Sequence, residues 1–296
     1  MLARPCGRFD NMTGMKVRCK YVKPILKIVI IIVALQSVSI IYRKIVLSTN
    51  LKNTYTQYEI PIPDLSKIIC VYIDNNINKM IDLSIVITGY QSNSRFLDIS
   101  LKKPIKIIIC RDDNESKRIF KYFNTKAGGF AFSDDLIIIN YENAISLGYS
   151  IYSILAHELS HIIIKQNIKS WYQKIFVFSK KSLWFSEGLA VYNQGYIAYT
   201  KSELKNELID TELKYKESLN NFNVIPTNRR SDYSIYYHFI DFIVGKYGEA
   251  KLKEFIKLMI KKYNKAYTNY YQVLKNDLLV DFSEYASNVL DMELKY

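Results

Sequence analysis

Two of the chain's three histidines stand four residues apart, with a glutamate after the first, in His157-Glu158-Leu159-Ser160-His161. On an α-helix, side chains at i and i+4 project from one face, so two imidazoles at this spacing can meet a single ion. Glu158, about 100° round the helix from His157, can reach the outer side of that ion and take a proton from a water bound there. Zinc suits such chemistry because it lowers the pKa of a bound water to about 7. A catalytic tetrahedral zinc site needs a third protein ligand. The remaining histidine, His238, is one candidate. Glu187, in Trp184-Phe185-Ser186-Glu187-Gly188-Leu189-Ala190, is the better one. A carboxylate early in a second helix can face the first helix, and Gly188 would let helices approach closely. The plainer reading of Glu187 is an acid stabilised by the positive end of its own helix.

These residues need elements to hold them. IYSILAHELSHIIIK (151–165) is strongly apolar and helical, which suits a buried site, and a second helix begins near Ser182. Upstream, KPIKIIIC (103–110) and LIIIN (136–140) read as strands, the second following the break at Gly128-Gly129. Residues 64–83 place apolar side chains at 65, 69, 73, 77 and 80, closer to helical than to strand spacing. Downstream the pattern is helical at 201–219, 231–248 (ending on Gly248 as a C-cap would), 249–264 and 281–293. A small mixed sheet followed by helices makes an α+β fold. Asp134-Asp135, just before the second strand, suits a turn.

The net charge of +13 suggests nucleic acid until it is divided along the chain. Residues 1–44 hold nine Lys/Arg and one acid, a net +8, which leaves 32 basic and 27 acidic side chains, +5, over the other 252 residues. That excess is a solvated surface rather than a phosphate-binding face, so nucleic acid is not an expected partner. The N-terminal charge flanks an apolar run, PILKIVIIIVALQSVSIIY (24–42), in which Lys27 and Arg43 can snorkel to the interfaces of a bilayer. Seven basic residues precede its charge-free part (28–42), which by the positive-inside rule puts the N-terminus in the cytoplasm and the rest of the chain outside. The expected layout is a basic cytoplasmic segment (1–23), a transmembrane signal-anchor (24–43), a juxtamembrane spacer (44–63) and a folded domain (64–296). Cleavage after Ser39, at Ser37-Val38-Ser39, would instead release the domain. Of the four cysteines only Cys70 and Cys110 lie in the exported part, as a disulfide or as two buried thiols.

The pair HELSH and WFSEGLAVY resembles the gluzincin zinc metallopeptidases, and most closely the peptidase-MA-like group with its W-x-x-E-G-x-A second motif. The resemblance covers roughly residues 64–293 and implies a zincin-like catalytic domain. It implies that His157, His161 and Glu187 bind zinc and that Glu158 is the general base. It also implies an oxyanion-stabilising Tyr or His on a later helix. Tyr233 matches that position best, with Tyr236, Tyr237 and His238 as rivals. Thermolysin-like members carry an acid four residues after the third ligand to orient a zinc histidine. Here that position is Val191. The aminopeptidase branch anchors the substrate's free amine with Gly-x-Met-Glu-Asn, where this chain has Gly128-Gly129-Phe130-Ala131-Phe132 and no acid.

The expected function is therefore a membrane-anchored zinc endopeptidase with an extracellular catalytic domain, acting on a peptide or protein laid beside strand 136–140. Two readings compete with it. One is a catalytically silent peptidase-like binding module tethered to the membrane. The other is a multi-pass enzyme cleaving within the bilayer, which the shortness of the 151–165 helix opposes.

Overall fold

The structure is a computed structural model that describes residues 51, 53–62, 67–119, 127–168, 183–195, 200 and 230–262. The chain divides into two units, Met1–Thr54 and Tyr55–Tyr296, and the second carries the site. The expected anchor at 24–43 and the expected helices at 201–219 and 281–293 lie outside the described residues. Among the described residues, no helix is long and apolar enough to cross a membrane.

Five strands form one mixed sheet in the order β1-β2-β3-β5-β4. β1 (Tyr55–Pro61) pairs antiparallel with β2 (Ile68–Asp74), which runs parallel to β3 (Ile105–Cys110). β3 in turn runs parallel to β5 (Leu136–Asn140), and β4 (Gly129–Ala131) closes that side antiparallel to β5. β3 and β5 are the central strands. They read as near-continuous isoleucine runs because both their faces are buried.

Three expectations are corrected here. Within the expected helix 64–83, Ile68–Asp74 form strand β2, which buries Ile69, Val71 and Ile73 in alternation, and only Asn78–Met80 make a short 3-10 turn. Apolar residues four apart lie on one side of a strand as well as of a helix, so the spacing of 69, 73 and 77 could not separate the two. The expected spacer at 44–63 contains β1, so the sheet begins at Tyr55 rather than near 64. Strand 136–140 is not an edge, since β4 lies between it and the end of the sheet. Cys70 and Cys110 are both free thiols. Cys70 is in register with Lys106, four residues along β3 from Cys110, a separation of roughly 13 Å at strand rise that no disulfide spans.

Helices connect and cover the sheet. α1 (Ser84–Leu97) links β2 to β3. Its β-branched residues and Gly89 are poor helix formers, and it is held by packing on the site helix, where a Cβ at Gly89 would sit 3.5 Å from Leu159. α2 (Asp113–Ile119) follows β3, and α3 (Tyr141–Ser146) follows β5. α4 (Ile151–Asn167) is the site helix, and the Ser150 hydroxyl caps it by accepting from the Ser153 amide at 3.0 Å. α5 (Leu183–Gln194) packs between α4 and α6 (Arg230–Tyr247). α6 ends at Gly248, whose φ of +83° is the left-handed C-cap its sequence position implied, and α7 (Glu249–Lys262) follows.

Candidate metal centre

His157 and His161 project from one face of α4, and Glu187 reaches them from the first half of α5. Nε2 of His157 lies 3.2 Å from Nε2 of His161. The Glu187 carboxylate closes the triangle, with Oε2 3.2 Å from His157 Nε2 and Oε1 3.5 Å from His161 Nε2. Among the described residues, these are the three whose ligand atoms converge closely enough to hold a metal ion. The dimensions fit zinc. Ligand bonds of about 2.0–2.1 Å in a tetrahedron put neighbouring ligand atoms about 3.3 Å apart. Two imidazole nitrogens facing each other across 3.2 Å also require a cation or a proton between their lone pairs.

The electrostatics follow from the same contacts. Burial alone would push the His157 imidazolium down, but Glu187, with Glu158 and Gln194, outweighs it and holds the pKa up at about 8. Burial would raise the Glu187 carboxyl, yet the two imidazoles hold it well below the usual carboxylate range. The triad therefore favours an anion on α5 facing positive charge.

His157 is oriented from behind by Gln194, whose Oε1 lies 3.1 Å from Nδ1. With the amide oxygen accepting, Nδ1 carries the proton and Nε2 presents its lone pair to the centre. The partner of His157 is thus Gln194, while Val191 is buried in the core. Gln194 follows Glu187 by seven residues, two helical turns, so both point to α4. That spacing was the available signal in the sequence, and it was missed because four residues was the spacing sought.

α4 is held by buried polar ties. The Asn93 amide on α1 donates to the Ala156 carbonyl at 3.0 Å and accepts from the Ser160 hydroxyl inside the HELSH motif. At the far end of α4, Gln166 Oε1 accepts from the amides of Lys102 and Lys103 at 2.7 and 3.0 Å, and its Nε2 donates to the Asp134 carbonyl at 2.7 Å. Asp134 also pairs with Lys103, and Asp135 accepts from Ser133, so this acidic pair is turn chemistry.

Glu158 is 7% exposed and faces the edge strand. A Cβ at Gly129 would lie 3.2 Å from Glu158 Cγ and 2.4 Å from Ile154 Cγ2, and one at Gly128 only 3.2 Å from the Ala144 Cα. Only glycines let β4 lie this close to α4. Farther along, Lys165 donates to the Ala131 carbonyl at 2.8 Å.

The aromatic candidates separate clearly. Tyr233, 37% exposed, has its ring centroid 6.3 Å from that of His157. Tyr236 is buried with its carbonyl against Gly188. Tyr237 packs on Tyr192, with ring centroids 5.2 Å apart. His238 is buried beside Tyr237 and lies outside the metal-binding triangle. The close approach expected of Gly188 is also redirected. An added Cβ there would be 3.1 Å from both Ile240 Cγ1 and the Tyr236 carbonyl, so this glycine fits α5 against α6 rather than α4.

A solved M1 zinc metallopeptidase from Deinococcus radiodurans is 10% identical, with a TM-score of 0.48, covering 82% of this chain and 52% of that one. An alanine mutant of that enzyme gives 10% identity and a TM-score of 0.49, covering 82% and 53%. The chain thus spans about half the length of these structures. No curated protein matches it. The family model described as Peptidase MA superfamily matches residues 94–276, more than half of the chain and both histidine and glutamate motifs. The chain belongs to the Peptidase MA superfamily.

Proposed function

We propose that this chain is a zinc-dependent endopeptidase anchored to the membrane by residues 24–43, with its catalytic domain on the extracellular side. The observation that carries the catalytic part is the triangle of His157, His161 and Glu187 beside Glu158 and a glycine-lined edge strand. The anchor rests on the apolar run and its basic flank.

His157, His161 and Glu187 would hold the zinc. Bound there, it supplies a Lewis acid and a water acidic enough to be deprotonated near neutral pH. The chain's own groups do the rest. An extended peptide adds to the outer side of β4, which lies against α4 at Gly129 and so brings the scissile bond to Glu158. This replaces β5 as the docking strand. Glu158 takes the proton of the attacking water and delivers it to the leaving amine. Tyr233 donates from its hydroxyl to the oxyanion. The edge strand offers no acid to a free α-amine, which supports internal cleavage.

The test is metal content together with turnover. Full-length protein in detergent should carry about one zinc per chain, and Glu187→Ala should lose it. Glu158→Gln should keep the metal and lose about 10²–10⁴ in rate. Folded wild-type protein that stays empty when supplied with zinc would sink the reading.

A further inference from the structure

The outer side of β4 has an unusual occupant. Gly128 accepts from the Asn140 amide, and the Phe132 amide donates to Leu136. Residues 128, 130 and 132 therefore spend their backbone groups on β5. By the alternation of an antiparallel ladder, Gly129 and Ala131 direct theirs away from it. Gly129 lies beside Glu158. Two residues on, the Ala131 carbonyl is bonded to the Lys165 ammonium.

Lys165 belongs to the catalytic face of α4. It follows Glu158 by seven residues, which brings it within about 20° of the same azimuth and about 10 Å farther along the axis. Helical side chains lean back toward the N-terminus, so the lysine stem carries its charge toward Glu158. Burial pushes the Lys165 ammonium down from its ordinary value, and Glu158, Asp134 and Glu187 pull the other way. A peptide lying along β4 with its reacting bond at Gly129 would thus pass an ammonium, where an uncapped strand would offer a carbonyl acceptor.

We propose that Lys165 selects the substrate: it receives a carboxylate of the bound peptide near the reacting bond, in a cleft that correspondingly disfavours a free amino group there. The inference rests on the peptidase reading for the direction of the cleft. The carboxylate can come from an Asp or Glu side chain or from a peptide C-terminus. An ammonium has three donors, so it can hold the Ala131 carbonyl and a carboxylate together.

The test uses full-length Glu158→Gln protein in detergent, so that bound peptides are not cut. The probes are end-blocked fluorescent octapeptides differing only in Glu against Gln at one scanned position. A second pair, without acidic residues, differs only in a free or amidated C-terminus. At one position, or at the free terminus, the carboxylate member should bind about tenfold more tightly, as expected for a charge-assisted hydrogen bond. The pair that responds identifies the source. The preference should vanish when Lys165→Met is added. Because the Lys165 bond also steadies the strand, Lys165→Arg is the second variant; it keeps the cation and should keep the preference. Equal binding within every pair, no binding at all, or a preference that survives Lys165→Met would overturn the inference. Carboxylate-dependent binding with no cleavage by the wild type would remove the peptidase reading and leave this one standing, whereas cleavage indifferent to carboxylates would do the reverse.

Discussion

The two helices that supply the metal-binding triangle are mounted in different ways. α4 is fixed by hydrogen bonds at both ends and in the middle: the Ser150 cap, the Asn93 tie to Ala156 and Ser160, and the Gln166 clamp on the loop before β3. α5 carries polar ties near its end, from Ser92 to Asn193 and from Gln194 to His157, but its first two turns pack closely. Phe185 packs edge-on against Phe255 at 5.1 Å, Leu189 and Ala190 are fully buried, and Gly188 sits flush on α6. Hydrogen bonds fix direction, so the spacing of His157 and His161 comes ready-made with the helix and its frame. Packing fixes distance, so the third corner of the triangle depends on how closely α5 and α6 fit. Losing a bond in the first region should cost stability and spare the site. Losing fit in the second should move Glu187.

The sharpest probe of this difference is Gln194, which stands on the packed helix but acts through a hydrogen bond. Gln194→Leu should weaken zinc binding about 10–100-fold, measured by competition with a chromophoric chelator. Gln194→Glu should restore most of it, because either side chain accepts from Nδ1. Next comes Gly188→Val. Forcing a branched side chain against Ile240 and the Tyr236 carbonyl should cost about 1–3 kcal/mol in denaturant unfolding and weaken zinc binding in the molecules that remain folded. Asn93→Leu is the counterpart on α4. It should cost about 1–3 kcal/mol by leaving buried polar groups unpaired, with zinc affinity per folded molecule nearly unchanged. If Asn93→Leu lost zinc as Gly188→Val does, the two mountings would not differ in kind.

The smallest effect concerns the sheet on which α4 packs. Burial pushes the Cys110 thiol up to about 12, so near pH 8 it presents almost no thiolate, while half-buried Cys70 on β2 is reachable. Peptide mapping after brief alkylation of the native protein should find Cys70 modified and Cys110 spared, and both modified in denaturant.

What the sequence disclosed follows the same division. The His157 and His161 pair was legible because helical spacing alone puts both on one face, whereas Glu187 was read from the motif around it, and the structure brings the three together. LIIIN was legible because a central strand is buried on both sides. β2 was read as helix because its apolar residues happened to fall four apart. α1 was not anticipated because Gly89 and its β-branched neighbours disfavour a helix that only tertiary packing stabilises. Asn93 and Lys165 were missed for one reason: each matters through a partner on another element, which no local pattern records. Tyr233 was separated from its rivals only by which side of α6 faces the site.

β4 also bears on edge-to-edge association. A strand edge able to accept a substrate backbone can equally accept the edge of another molecule, and Phe130 and Phe132, 46% and 39% exposed, add apolar surface to the invitation. Yet the strand is only three residues long, and one of its two outward carbonyls is already held by Lys165. A short edge plugged by a lysine gives a neighbouring sheet too few bonds to nucleate on, while the extended peptide proposed above, held also at Glu158 and the metal-binding corner, would need only a few. The lysine that occupies the Ala131 carbonyl thus also leaves the edge with fewer groups for edge-to-edge pairing.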